Sequence, residues 1–221
     1  MAASNLTQDL VKLDRKLVKA YGAKTNDRDE DGVTSLVHTI LSQNTTDRTS
    51  DRAFDSLITT FGGWEQVLAA GVSEVADSIR QGGLAEQKAA SIKAVLGRIK
   101  QDFGSISIEA LKGWPEDEVM SYLTLLKGVG PKTAACTMLF ALGKKAFPVD
   151  THVHRVANRL GLVTTKSAEE TQKILTEAAP FSVCYSLHLN LIQHGRQRCH
   201  ARKPSCMGCP IYDMCKSAGV N

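Results

Sequence analysis

Lys132 closes the stretch Leu126-Lys127-Gly128-Val129-Gly130-Pro131-Lys132, and Asp150 follows eighteen residues later in Pro148-Val149-Asp150-Thr151-His152. Together they supply an amine and a carboxylate. Two glycines flanking an apolar residue can turn backbone N–H groups outward as an anion site, and Pro131 presets the first turn of the next helix. The same Gly-x-Gly pattern also serves as a plain interhelical turn. Lys132 then falls in a first helical turn, where the positive end of the helix dipole disfavours an ammonium. A neutral amine is a carbon nucleophile able to form a Schiff base with a carbonyl, whereas a solvated lysine only contacts phosphate. Asp150 suits a helix N-cap. If Thr151 caps instead, the Asp150 carboxylate is free to stabilise developing positive charge or assist proton transfer. His152 and His154 cannot share a helical face, so at most one of them approaches that carboxylate or an incoming ligand.

A second constellation lies in the tail. Cys199, Cys206, Cys209 and Cys215 form C-x6-C-x2-C-x5-C, a loop compact enough to gather thiolates around an inorganic centre. Zinc held by four cysteines usually shows two C-x2-C pairs, of which this chain has one; an iron-sulfur cluster takes four thiolates as well. Spacing alone leaves both open. The loop also carries Arg202 and Lys203, with Arg196 and Arg198 just before it, a cationic set suited to phosphate or simply to solvent. Cys136 and Cys184 lie in helical runs and read as buried small hydrophobes.

Composition sets the bounds. The 221 residues are 43% hydrophobic and 23% charged, ordinary globular values that exclude disordered, collagen-like and coiled-coil classes. A net charge of +4 permits a polyanionic partner without establishing one. No apolar run is long enough to cross a bilayer, and the Met1–Leu6 segment lacks the pattern of a secretory leader, so the expectation is a cytoplasmic protein without membrane attachment. Four cysteines within the last 23 residues of such a chain suggest metal ligation over disulfides.

The elements that must position these residues are helices. Leu6, Leu10, Leu13, Leu17 and Tyr21 make one apolar stripe, with Asn5 and Gln8 resembling a capping box. Val33, Leu36, Val37, Ile40 and Leu41 repeat the pattern, as do Ala53, Phe54, Leu57, Ile58 and Phe61, then Ile92, Val95, Leu96, Ile99 and Phe103. Further helices are expected from Trp114-Pro115 onward and near 131–142, 151–161, 167–178 and 181–194, the third opened by a Ser167-x-x-Glu170 box and the last stopped at Gly195. No segment alternates like a strand, which makes the class all-α.

With these residues in view, the chain closely resembles the endonuclease III family of the helix-hairpin-helix superfamily. The resemblance rests on Leu126-x-Gly128-Val129-Gly130-x-Lys132-Thr133-Ala134, Val149-Asp150-Thr151-His152-Val153-x-Arg155-Val156, His194-Gly195-Arg196 and the four-cysteine tail. It implies a six-helix barrel lobe over 25–144, with the helix-hairpin-helix near 118–142, and a discontinuous cluster lobe over 1–24 and 145–221, with a DNA-binding cleft between them. It also implies a bifunctional DNA glycosylase and AP lyase acting on double-stranded DNA with damaged pyrimidines or abasic sites, as a monomer. Lys132 would be the Schiff-base nucleophile, Asp150 the essential aspartate, and Cys199, Cys206, Cys209 and Cys215 the ligands of one [4Fe-4S] cluster. The DNA contacts it implies are Gln43, Asn44, Leu84, Lys127, Gly128, Val129, Gly130, His152, Arg202 and Lys203.

Departures bear on substrate. Lys127 stands where the family commonly has proline, and Pro131 where it often has a basic residue. Asn44 occupies the position often held by glutamine, with Gln43 just before it, and either side chain could fill the space left by a flipped base. Leu84 maps to the intercalating aliphatic residue, while a second wedge found in some relatives is missing behind Gly82-Gly83. A monofunctional mismatch glycosylase and a noncatalytic DNA-binding module are the competing readings. Lys132 argues against the first, and the pairing of Lys132 with Asp150 goes unexplained by the second.

Overall fold

The computed structural model describes residues 2–26 and 30–219, with side chains from residue 5 onward; Met1 of the expected leaderless N-terminus lies outside the described residues. Eleven α-helices run through the described residues, and none of these residues forms a strand. The all-α class read from periodicity is the class observed. The chain divides into two units, Asp29–Lys144 on one side and Met1–Arg28 with Lys145–Asn221 on the other. Asn190 Nδ2 donates to Gly22 O at 3.2 Å, which holds the residue after the first helix within its own unit.

Within Asp29–Lys144 lie α2 (Gly32–Leu41), α3 (Asp47–Phe61), α4 (Trp64–Ala69), α5 (Val72–Ser78), α6 (Ala85–Phe103), α7 (Glu116–Leu125) and α8 (Pro131–Phe140). Local chemistry sets their ends. Asp31 caps α2 by accepting from the amides of Val33 and Thr34, and Thr46 caps α3 through Thr49 N. Glu116, Asp117 and Glu118 fill the first turn of α7, where they complement the helix dipole. The stripe of α2 is buried, as is that of α6 except for half-buried Phe103, with Val33, Leu36, Val37, Leu41, Ile92, Val95, Leu96 and Ile99 at 0% exposure. On α3 only Ala53 and Leu57 of the expected stripe are fully covered. Phe54 instead lies half-buried among the rings of His38 and Trp64. α2 packs against α8 and α6, α5 against α6, and α7 against α8.

The other unit contains α1 (Ala2–Tyr21), α9 (Thr151–Leu160), α10 (Ala168–Ala178), α11 (Phe181–Gln197) and the cysteine-rich tail. α1 begins at Ala2, upstream of Asn5, so the expected Asn5/Gln8 box lies inside the helix and caps nothing. α11 runs through Gly195 to Gln197, correcting the expected stop. Gly195 serves close approach instead: a Cβ there would lie 2.8 Å from His152 Cβ on α9. Ser167 does cap α10, accepting from Glu170 N at 3.1 Å, but the Glu170 carboxylate returns to Lys166 N rather than to Ser167.

The buried run Ala146–Val149 that leads into α9 has no sheet partner, so side chains satisfy its backbone. Phe147 N donates to Thr176 Oγ1 at 3.1 Å, Val149 N to Gln172 Oε1 at 3.4 Å, and His188 Nδ1 donates to Pro148 O at 2.8 Å. Phe147 itself is at 0% exposure. Phe147→Ala should lower the free energy of unfolding by about 3–5 kcal/mol, read as a reduced urea midpoint at unchanged slope.

Candidate functional site

The hairpin between α7 and α8 is closed by Val129 N donating to Leu126 O at 3.0 Å. Gly128 takes φ +85, and a Cβ there would sit 2.6 Å from Ser91 Oγ of α6. Both the backbone angle and the space therefore require glycine. Lys127, Gly128 and Gly130 are exposed, and the amides of Gly128 and Gly130 have no acceptor among the described residues. Two exposed amides without an acceptor are the donors that an anion-binding turn would need. Val129 does not belong to its outer surface. It is 5% exposed and its N–H is consumed within the turn, because an apolar residue between two glycines anchors the hairpin to the core.

Gly130 precedes α8 in extended conformation and Pro131 is the first helical residue, leaving Lys132 second. Its side chain is half-buried, and its ammonium has no hydrogen bond or ion pair among the described residues. Gln43 is differently placed. Nε2 donates to Gly128 O and to Thr133 Oγ1, both at 3.1 Å, so this carboxamide braces the hairpin. Asn44 is exposed at φ +53, and Leu84 is 53% exposed at φ +51. Between the two candidates for filling the space of a flipped base, the structure commits Gln43 elsewhere and leaves Asn44 presented.

In the other unit, Asp150 is the N-cap of α9, with Oδ1 accepting from Val153 N at 2.8 Å. Thr151 does not replace it, since Thr151 is already the first helical residue. Only one carboxylate oxygen is used; Oδ2 has no donor among the described residues. The cap thus fixes the carboxylate without consuming it. His152 Nδ1 accepts from Arg155 Nη2 at 3.0 Å and its ring lies against Gly195, so His152 is half-buried. His154 points elsewhere, its Nδ1 2.7 Å from Thr171 Oγ1.

Cys199, Cys206, Cys209 and Cys215 line one cavity of about 590 Å3 and form no disulfide. Burial, together with the closeness of the other thiols, pushes the Cys209 and Cys215 thiols up from the ordinary value. Gathered sulfurs of this kind favour a cation that would reverse the shift. Among the described residues, no three His, Cys, Asp or Glu side chains close around a single-ion site. The donor set of four soft thiols around a space, rather than a point, fits an iron-sulfur group. Arg159 Nη1 donates to Cys199 Sγ at 3.3 Å and to His200 O at 2.6 Å, and Nη2 donates to Ala201 O at 3.0 Å. Burial, and secondarily Arg198, lowers His194 to about 4, which keeps the ring neutral beside Cys209 Sγ at 3.8 Å. Arg202 and Lys203 stand exposed on the same loop.

Sequence reasoning missed Arg159 and Lys88. The i, i+4 spacing of Arg155 and Arg159 on α9 was the available signal for Arg159. Arg155 reaches Gly195 O and Cys199 O, at 3.0 Å each, from the same face. Nothing in local spacing marked Lys88.

A helical chain with a glycine hairpin between two helices and a four-thiol cavity defines a narrow class. Residues 37–181 match the HhH-GPD superfamily of base excision DNA repair proteins, and residues 199–215 match the iron-sulfur binding domain of endonuclease III. The chain belongs to the HhH-GPD superfamily, in its endonuclease III family. A protein of Arabidopsis thaliana whose name places it among DNA glycosylases is 41% identical over 77% of this chain and 59% of its own length. Endonuclease III of Sulfolobus acidocaldarius is 34% identical over 82% of this chain and 80% of its own. The chain spans only 12% and 9% of two longer plant relatives. The solved structure of a trapped endonuclease III-DNA covalent intermediate superposes with a TM-score of 0.79 at 28% identity, over 96% of both chains.

Gly128→Ala, which meets both the positive φ and Ser91, should destabilise the protein by about 1–3 kcal/mol, measured by urea unfolding. Gly130→Ala, with φ −88 and open space around it, should cost less.

Proposed function

We propose that the chain is a bifunctional base excision repair enzyme, a DNA glycosylase and AP lyase that removes oxidised or otherwise damaged pyrimidines from duplex DNA and also processes abasic sites. The observation that carries this reading is Lys132, a half-buried amine with no partner among the described residues, one residue into the helix behind the hairpin turn. The covalent intermediate trapped in the endonuclease III relative supports a nucleophile of this kind.

In the proposed reaction the exposed amides of Gly128 and Gly130, with Lys127, take a phosphate and fix the strand. The damaged base swings out of the stack. As its glycosidic bond breaks and the base leaves with the bonding pair, positive charge grows at C1′, where the Asp150 carboxylate stabilises it. Lys132 Nζ bonds to C1′ and gives up a proton; the ring C–O bond then opens, the ring oxygen takes a proton, and an iminium forms. The iminium acidifies the C2′ proton. Its removal expels the 3′ phosphate by β-elimination, and water releases Lys132. Cys199, Cys206, Cys209 and Cys215 would hold a [4Fe-4S] cluster, one per chain, and their ligation would brace the loop carrying Arg202 and Lys203.

Borohydride trapping on duplex DNA with a single thymine glycol or abasic site tests the reading. Wild-type protein should form a covalent adduct and Lys132→Ala none; base release without any Lys132-dependent adduct would indicate a monofunctional glycosylase instead. Asp150→Asn, which keeps the cap acceptor, should slow base release by about 10²–10⁴-fold. Arg202→Ala combined with Lys203→Ala should reduce the slope of log affinity against log salt by about two. Purified protein should carry iron and a broad visible absorption, both diminished in Cys206→Ser.

A further inference from the structure

The start of α6 reaches three separate loops through residues on one face. Leu84 precedes the helix in left-handed conformation, its carbonyl accepting from Lys88 N at 2.9 Å. Lys88, 3% exposed, donates from Nζ to Leu41 O at 2.7 Å and to Gly82 O at 2.9 Å. Ser91, three residues further, backs Gly128 in the hairpin. Leu41 ends α2 three residues before Asn44, and Gly82 stands two residues before Leu84. Lys88 therefore ties together the two loops that present Asn44 and Leu84.

A buried lysine with no carboxylate beside it is an expensive way to fill space. Burial alone works against its charge, and the two carbonyls are its compensation. A hydrophobic side chain would occupy the volume at lower cost but leave both carbonyls unsatisfied and the loops unconnected. One of the two loops is strained. Leu84 holds φ of +51, a value that such a residue keeps only where the surroundings over-determine it, whereas the +53 of Asn44 is one that asparagine tolerates. Gln81 adds a tie from the same turn, donating to Arg52 O of α3 at 2.9 Å.

We propose that Lys88 is the positioning residue for lesion recognition: by joining the end of α2 to the Gly82-Gly83 turn, it holds Asn44 and Leu84 at a fixed separation as paired probes of the DNA stack. This rests on the base excision reading above. Lys88 touches no reacting atom and acts through the two probes. Extruding a base requires unstacking energy that inserted side chains must offset, so a loosened pair impairs base extrusion. A site that has already lost its base makes a smaller demand.

Single-turnover release of thymine glycol and borohydride trapping at a preformed abasic site, measured in parallel, separate these steps. Lys88→Met should slow base release by about 10–100-fold while leaving abasic-site trapping near wild type, and Lys88→Arg should recover much of the loss. Leu84→Ala combined with Lys88→Met should release base no more slowly than the slower single variant, since one acts through the other. The proposal is overturned if Lys88→Met impairs both steps equally, if it impairs neither, or if the losses multiply in the double variant. Should Lys88→Met fail to fold by circular dichroism, Lys88→Gln, which retains a donor, is held to the same outcomes; if neither folds, Lys88 serves folding and the proposal fails. A wild-type protein without base release or trapping would instead defeat the underlying reading.

Discussion

Helix ends carry backbone groups that no residue of the same helix can satisfy, and the candidate site residues within each unit are arranged around loose backbone groups of this kind. The carbonyls that close α2 and the Gly82 turn are met by Lys88. Of the amides that open α9, that of Val153 is met by Asp150, and in the tail the carbonyls of His200 and Ala201 are met by Arg159. Each of these side chains lies at or beside a loop that bears site chemistry. Satisfying the backbone and placing the chemistry are thus the same act. Asp150 shows this economy most directly, since one carboxylate oxygen caps a helix while the other has no donor among the described residues.

The hairpin reverses the logic. There the amides of Gly128 and Gly130 are left unsatisfied and exposed, which is tolerable only where water or a phosphate can reach them. Rigidity comes from behind. Val129 is buried, Ser91 fills the space a Cβ would need, and Gln43 donates to Gly128 O. A turn held this firmly keeps its exposed donors in fixed directions.

In the tail, four thiols surround a cavity, and Arg159 places a guanidinium N–H against one sulfur. Positive groups near thiolates and donors to their sulfurs tune and stabilise such sites. The arginine that donates to the sulfur also binds the carbonyls of the next two residues, so the ligand loop and its electrostatic surroundings are shaped by one side chain.

Much of this was legible in the chain itself. Periodic apolar stripes identified the helices, glycine and proline marked the hairpin, and the C-x6-C-x2-C-x5-C spacing marked the thiol set, because all of these are local consequences of covalent spacing and backbone geometry. The errors were local too. Asn5 looked like a cap and Gly195 like a stop, although one lies within a helix and the other exists so that α11 can approach His152. What only the tertiary structure decided was which side chains are already occupied: that Gln43 braces the hairpin while Asn44 is presented, and that Lys88 joins two loops. Those assignments depend on where acceptors come to rest after folding. Lys88 and Leu41 lie 47 residues apart, and Gln43 and Gly128 lie 85 apart, separations across which no sequence pattern carries the direction of a hydrogen bond.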